Sequence, residues 1–414
     1  MLARWTQLDL ARIPRGRAVI ASIAVDSVAS GALTPFLPLY FVFRAGLSEP
    51  AVGVLLTVAA LLALPAGTLA SRFVGRLGSA RCIVFINYVR AVAAVGALFA
   101  TSRILALVVL LLSTAGDNSF WAANSTFVAD IAGDQRRRWY ALERSIRNAA
   151  LGGGALVGGV TVSLAGNGGL LVFMALNAVS FVVAALLLRG VRTAPRVTER
   201  ATKRADRALA VYADPKFDVF LVATVLLVVP LLAMPSVLTL TLDQRARWGT
   251  GLAGALIAFN VVLLVLTQPY VSRRLERYRH RTVLVTAALL TAAGAAVLAV
   301  GFRLPDWGTV VCAVLAMVGL TAGELLCMSV MNDFVATIAP PARLAQYMAA
   351  YQLGWATAGL LWPVTMLSLA ARGGAAVWSV VCGCGLLAAG ACALVQPTTA
   401  GTPEPVPEPV GDPS

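Results

Sequence analysis

The sequence predicts an all-α integral membrane protein, with twelve transmembrane helices arranged as two pseudo-symmetric six-helix bundles. Three observations lead there. The 414-residue chain is 59% hydrophobic and only 13% charged, against about 25% charged in a soluble domain. That is too little charge to cover a water-facing surface, and it also excludes a chain disordered along its length. The charges sit in short clusters between long apolar runs, which is the layout of membrane spans and their topology signals. Finally, part of the second half of the chain repeats the first at a fixed offset.

A helix needs about 20 apolar residues to cross a bilayer, and twelve runs approach or exceed that length. The first, 17–43, follows Arg12, Arg15 and Arg17 and is too long for a signal-peptide core, so it reads as a retained span. Pro35 and Pro38 are expected to kink it, because proline removes a helix hydrogen bond. Runs 50–71 and 82–101 flank the basic stretch 72–81, and runs 104–132 and 141–165 flank Arg136, Arg137 and Arg138. Run 169–188 ends at Arg189. A polar stretch, 190–215, then bisects the chain. Run 217–242 carries Pro230 and Pro235, two further expected kinks. Runs 251–271 and 282–302 flank the basic stretch 273–281, and 308–336, 344–370 and 375–396 complete the set. The domain reading is therefore a six-helix bundle over 1–189, a basic cytoplasmic linker over 190–215 and a second bundle over 216–396. A proline-rich tail over 397–414, expected to be disordered, follows.

Lysine and arginine set the orientation. With a cytoplasmic N-terminus, 26 of the 33 basic residues fall inside; six (Arg44, Arg103, Arg245, Arg247, Arg303 and Arg372) fall outside, and Arg90 lies within the third run. Positive-inside asymmetry then places both termini in the cytoplasm. It also accounts for the net charge of +14 without a nucleic-acid partner. The expected location is the plasma (cytoplasmic) membrane, in multi-pass form and as a monomer.

The repeat aligns 114–140 with 321–347 at an offset of 207, with ten identical positions that include Thr114/Thr321, Gly116/Gly323, Phe127/Phe334 and Tyr140/Tyr347. Asp117 falls opposite Glu324. A second echo, at an offset of 201, pairs Ser71-Arg72 with Ser272-Arg273. Duplicated six-helix units put spans one, four, seven and ten in equivalent roles.

Over about residues 10–396 this pattern resembles the major facilitator superfamily. The stretch GTLASRFVGRLGSAR at 67–81 is similar to that family's loop motif between helices two and three, with Gly67, Arg72, Gly75 and Arg76 matching and Ser71 standing where the family carries an acid. LGGGALVGGV at 151–160 resembles the glycine-rich fifth helix of the drug/proton antiporter branch; small residues there also permit close helix packing. The resemblance implies the major facilitator fold, a cavity lined by helices one, four, seven and ten, and efflux driven by a proton gradient with no bound cofactor.

Ionisable residues inside a membrane invite a functional reading, because a buried charge is costly. Asp26, Asp117 and Glu324 fall on the helices that the resemblance assigns to the cavity, which makes them candidates for proton coupling or substrate binding. A carboxyl in a low-dielectric cavity can load and release a proton as its hydration alternates. The structural alternative is ion pairing: Arg90 with Asp117, and Asp130 with Arg144 or Arg147. Asp117, Trp121 and Asn124 share one helical face and would suit an amphipathic, cationic molecule. Tyr351 and Trp355 on the eleventh run are further cavity candidates. Gly67, Arg72, Arg76, Arg90, Asp130, Arg144 and Arg147 are candidates for a conformational loop and its charge pairs.

No nucleophile elbow, phosphate loop, HExxH or zinc spacing occurs, and His280 is the single histidine. An enzyme, an ATP-driven pump and a multi-histidine metal site are therefore not expected. The reading is a secondary active transporter, a proton-coupled exporter of small amphipathic compounds, neutral or cationic. The alternatives are a proton-coupled importer of a sugar, peptide or organic acid, and a non-transporting receptor on the same fold.

Overall fold

The computed structural model describes residues 15–132, 136–193, 215–245, 249–275, 277–339 and 344–395. The linker expected over 190–215 and the tail over 397–414 lie almost entirely outside the described residues. Twelve apolar helices long enough to cross a bilayer run through the described residues, and no strand occurs among them. They are α1 (Gly16–Arg44), α2 (Glu49–Leu77), α3 (Ser79–Leu98), α4 (Arg103–Ala132), α5 (Arg136–Ala165) and α6 (Asn167–Leu188). After the linker come α7 (Pro215–Arg245), α8 (Gly249–Leu275), α9 (His280–Gly301), α10 (Asp306–Ile338), α11 (Leu344–Ala370) and α12 (Gly374–Leu394). Helices dominate because lipid offers backbone groups no hydrogen bonds, and a helix satisfies its own.

The prolines act unequally. In α1 a single 3-10 turn, Thr34–Phe36, holds Pro35, and Pro38 sits in the first turn of the helix that resumes at Leu37. The helix α7 runs unbroken through both Pro230 and Pro235. An internal proline costs one hydrogen bond, and packing on both sides of α7 retains the helix: Leu227, Val228, Val229, Ala233, Met234 and Val237 are all buried.

The stretch expected as a loop after the second span is mostly helix. Helix α2 continues to Leu77 after a one-residue interruption at Ala63, and Arg72 and Arg76 are exposed on its last turns. Gly78 alone makes the turn into α3, with φ +84°. Its conformation and its surroundings both demand glycine, since a Cβ there would stand 2.6 Å from the Thr193 carbonyl oxygen. Thr193 also receives the Ala80 N–H at 3.0 Å, so the end of α6 is tied to the start of α3.

The two halves of the chain meet through α2 against α11, α5 against α8, and the end of α1 against α7. The Thr57 hydroxyl donates to the Leu360 carbonyl at 3.0 Å, and the Gln244 amide to Glu49 at 2.5 Å. Ser163 and Thr250 share a hydrogen bond of 2.9 Å. A Cβ at Gly53 would stand 2.5 Å from the Pro363 carbonyl, and one at Gly159 would stand 2.6 Å from the Thr250 carbonyl. All these contacts lie toward the ends of the helices remote from the basic stretches 72–81 and 273–281. The halves are therefore sealed on the face opposite the basic loops.

The glycines of α5 divide between two partners. Gly154 and Gly158 face Ala32 and Phe36 of α1 within the first half, whereas Gly152 and Gly159 face Val261, Thr250 and Gly254 of α8 across the junction. Small residues let helix backbones approach where lipid provides no hydrophobic drive.

Candidate functional site

Within the first half, five charged side chains from four helices converge inside the bundle. Asp26 of α1 and Glu143 of α5 are each 4% exposed and Arg90 of α3 is 8% exposed. Arg90 Nη1 lies 3.3 Å from Asp26 Oδ1, and its Nε lies 2.9 Å from Asp117 Oδ1 of α4. This second pair is close but misaligned for a hydrogen bond, since Nε has no acceptor in line. Arg90 also donates to Asn87 at 3.3 Å. Its guanidinium lies over Phe181 and Phe120, at 4.0 and 5.2 Å from the ring centroids. Aromatic faces stabilise a desolvated cation electrostatically, so the rings hold Arg90 where lipid could not.

Arg147, one turn beyond Glu143 on α5, completes the group. It donates to Glu143 Oε1 from Nε at 3.1 Å and from Nη2 at 3.0 Å. Its Nη1 lies 3.5 Å from both Asp26 Oδ2 and Ser27 Oγ. Its guanidinium lies 4.8 Å from the Trp121 ring and 5.3 Å from Phe120, which thus serves both arginines. Asn124 donates to both oxygens of Glu143, at 3.0 and 3.3 Å. The Ser30 hydroxyl stands 3.5 Å from Asp26 and 3.2 Å from Asn177 of α6. Among the described residues Glu143 therefore accepts three aligned donors, while Asp117 is held by Arg90 alone.

This network forms one wall of a cavity of about 450 Å³, lined among others by Asp26, Ser30, Arg90, Asp117, Trp121 and Arg147. The Asp117 side chain is 52% exposed and Trp121 is 56% exposed. Both look into this space.

The remaining candidates fall in several different environments. Asn124 is not on the cavity wall: one turn past Trp121 the face of α4 is covered by α5, and Asn124 is spent on Glu143. Tyr351 is buried at 2% exposure and stacked on Phe220 at 6.2 Å, so it belongs to the core of the second half. Trp355 packs half-buried against that same core. Asp130 accepts the Ser79 hydroxyl at 2.7 Å, and Arg147 turns to Glu143 and Asp26 instead; the side chain of Arg144 lies outside the described residues. Gly67 packs on the backbone of Asn118 in α4. Arg90, on the third helix and so outside the four helices that the resemblance assigns to the cavity, lines it as well. Glu143 was not among the sequence candidates; its spacing of four from Arg147 is the one signal the sequence offers, and that spacing reads equally as a surface pair.

The second half carries a reduced copy of this arrangement. A Cβ at Gly116 would meet Arg90 Cγ at 2.6 Å, and one at its repeat partner Gly323 would meet the Thr291 hydroxyl. Thr291 thus occupies the place of Arg90, at the offset of 201. The same offset carries Asp26 to Leu227. Leu227, Thr291, Glu324, Met234 and Trp378 line a pocket of about 30 Å³, room for about one water. Glu324 accepts Asn260 of α8 at 3.0 Å, and the same amide reaches Thr321 at 3.0 Å. Among the described residues that line this pocket, the acid opposite Asp117 is kept, while threonine and leucine stand where the arginine and the second acid are in the first half.

Comparison with known proteins agrees with this architecture. Nucleoside transporter NupG superimposes with a TM-score of 0.73 at 15% identity, covering 91% of this chain and 96% of its own. Peptide transporter POT in complex with sulfate gives 0.72 at 15%, covering 94% and 97%. The inward-open xylose transporter XylE from E. coli gives 0.67 at 14%, covering 93% and 96%. No curated protein matches the sequence. The model of the Major Facilitator Superfamily matches residues 19–363, which include every charged member of the network. With twelve spans, a duplicated bundle and this match, the chain belongs to the major facilitator superfamily of membrane transporters.

Proposed function

We propose that this transporter couples proton movement to the export of small amphipathic compounds, neutral or cationic, by alternating access. The observation that supports it is Asp117, an acid held at one point by Arg90 and open to a cavity it shares with the exposed ring of Trp121. Such an acid can hold a proton or face a cationic substrate, but not both. In this reading the units 1–189 and 216–396, joined by the linker 190–215, rock as a monomer in the plasma membrane with both termini cytoplasmic. The basic face is then cytoplasmic, and the structure is closed on the outside.

A second reading, proton-coupled uptake of a polar solute, draws on the two arginines that line the cavity. The similar folds include proteins named as nucleoside, peptide and xylose transporters, though at 14–15% identity they bear on fold alone. Transport by oriented vesicles of each sidedness separates the two directions.

Proteoliposomes with an imposed pH gradient and a panel of lipophilic cations and neutral drugs test the coupling. Asp117→Asn is expected to lower compound-driven proton flux at least tenfold while the variant still inserts and purifies as a monomer. Undiminished flux would remove Asp117 from the coupling role. Trp121→Ala is expected to change the half-saturating concentration of aromatic cations severalfold, with little effect on small polar compounds. Identical dose responses for every compound would leave Trp121 as a support for Arg147 alone.

A further inference from the structure

Among the described residues the network contains three carboxylates and two guanidiniums. Among the described residues the groups that meet it are Asp26, Ser27 and Ser30 from α1, Asn87 and Arg90 from α3, Asp117 and Asn124 from α4, Glu143 and Arg147 from α5, and Asn177 from α6. The serines and asparagines carry no charge, so the fully ionised group holds one negative charge too many. A buried ion without a partner is far more costly than a buried pair. Glu143 with Arg147 is one pair, and Asp26 with Arg90 is a second. Asp117, open to the cavity, is the acid left over.

We infer that the surplus of one carboxylate fixes the coupling at one proton per substrate cation. Glu143, which lies off the cavity wall, sets that number as a positioning residue. In the loaded state Asp117 carries a proton taken from water in the cavity, Arg90 serves Asp26, and the group is neutral. When a monocation enters, the Asp117 O–H bond breaks, the proton returns to water, and the cation supplies the balancing charge. Neither step needs another reactant. The number exchanged follows the charge count of the whole group, so removing any one carboxylate, even a buried one, leaves two acids for two arginines and nothing to protonate.

This inference rests on the proton-coupled reading above, and one experiment separates the two. The purified full-length transporter, in detergent and weak buffer with a pH indicator, is titrated with tetraphenylphosphonium, and protons released per cation bound are counted. The expected counts are one for the wild type, and none for Asp117→Asn and Glu143→Gln. The double variant Glu143→Gln/Arg147→Gln, which restores two acids against one arginine, is expected to return to one. Loss of cation binding in Glu143→Gln with its recovery in the double variant supports the same charge count. A wild type that binds no cation, or binds it and releases no proton, overturns the coupled reading itself. One proton from the wild type and one from Glu143→Gln leaves the coupled reading intact and overturns the inference, as do two protons from the wild type. The double variant also guards against misfolding, since it removes a buried ion pair as a unit and strands no charge.

Discussion

Replacing Arg90 with leucine is expected to destabilise the protein by about 3–5 kcal/mol, the range for removing one partner of a buried ion pair. Arg90 is 8% exposed and is the one cation within 4 Å of Asp117 among the described residues; for Asp26 it leaves only Arg147, at 3.5 Å. Leucine would also remove the cation that lies over the Phe120 and Phe181 rings. The measurement is thermal unfolding of the purified protein in detergent, where a fall in Tm on the order of 5–10 °C is expected. A combined Arg90→Leu, Asp26→Asn, Asp117→Asn variant is expected to recover most of that loss, because no lone ion remains buried, and to remain inactive in proton-coupled transport. An unchanged Tm for Arg90→Leu alone would mean that water in the cavity already screens both acids, and that the pairs contribute little to the fold.

Much of the fold was legible because bilayer thickness imposes a length on every span, and the apolar runs declare that length directly. Boundaries moved at the basic ends of helices: α2 runs to Leu77 rather than to residue 71, and α5 begins at Arg136 rather than at 141. The site was legible in part. Depth along a span identified Asp26, Asp117 and Arg90, since any charge at that depth is costly enough to need a reason. Which neighbour covers a given face is a matter of tertiary packing, and no period in the sequence records it. Asn124 shares a face with Asp117, yet α5 crosses above it. Tyr351 lies on a plausible stripe, yet Phe220 covers it. Glu143 sits close to the basic end of its helix, where an acid four residues before an arginine reads as a surface pair. Only the fold shows that this end of α5 turns inward against Asn124 and Asp26.

The glycines of α5 lead to the other large expected effect. Gly159 meets Thr250 and Gly254 across the junction of the halves, so a side chain there acts on the conformational equilibrium more than on the bundle that contains it. A Cβ would stand 2.6 Å from the Thr250 carbonyl oxygen and 2.9 Å from Gly254 Cα. Both are backbone atoms, which cannot rotate aside as a side-chain tip can. Gly159→Val is therefore expected to force α5 and α8 apart on the face that this structure seals, and to shift the population toward the state open on that face. Cysteines placed on the far ends of α5 and α8 would report it, with labelling by a membrane-impermeant thiol reagent rising severalfold in the valine background. Gly153 provides the control six residues away on the same helix: a Cβ there meets nothing within 4 Å, so Gly153→Val is expected to leave labelling unchanged. If both variants behave alike, the effect belongs to helix propensity, because valine alters that equally at either position. If only Gly159→Val opens the sealed face, close backbone packing at the α5–α8 junction holds that state. Transport by Gly159→Val is then expected to slow at the step that reseals this face, even though the charged network around Asp117 keeps every one of its members.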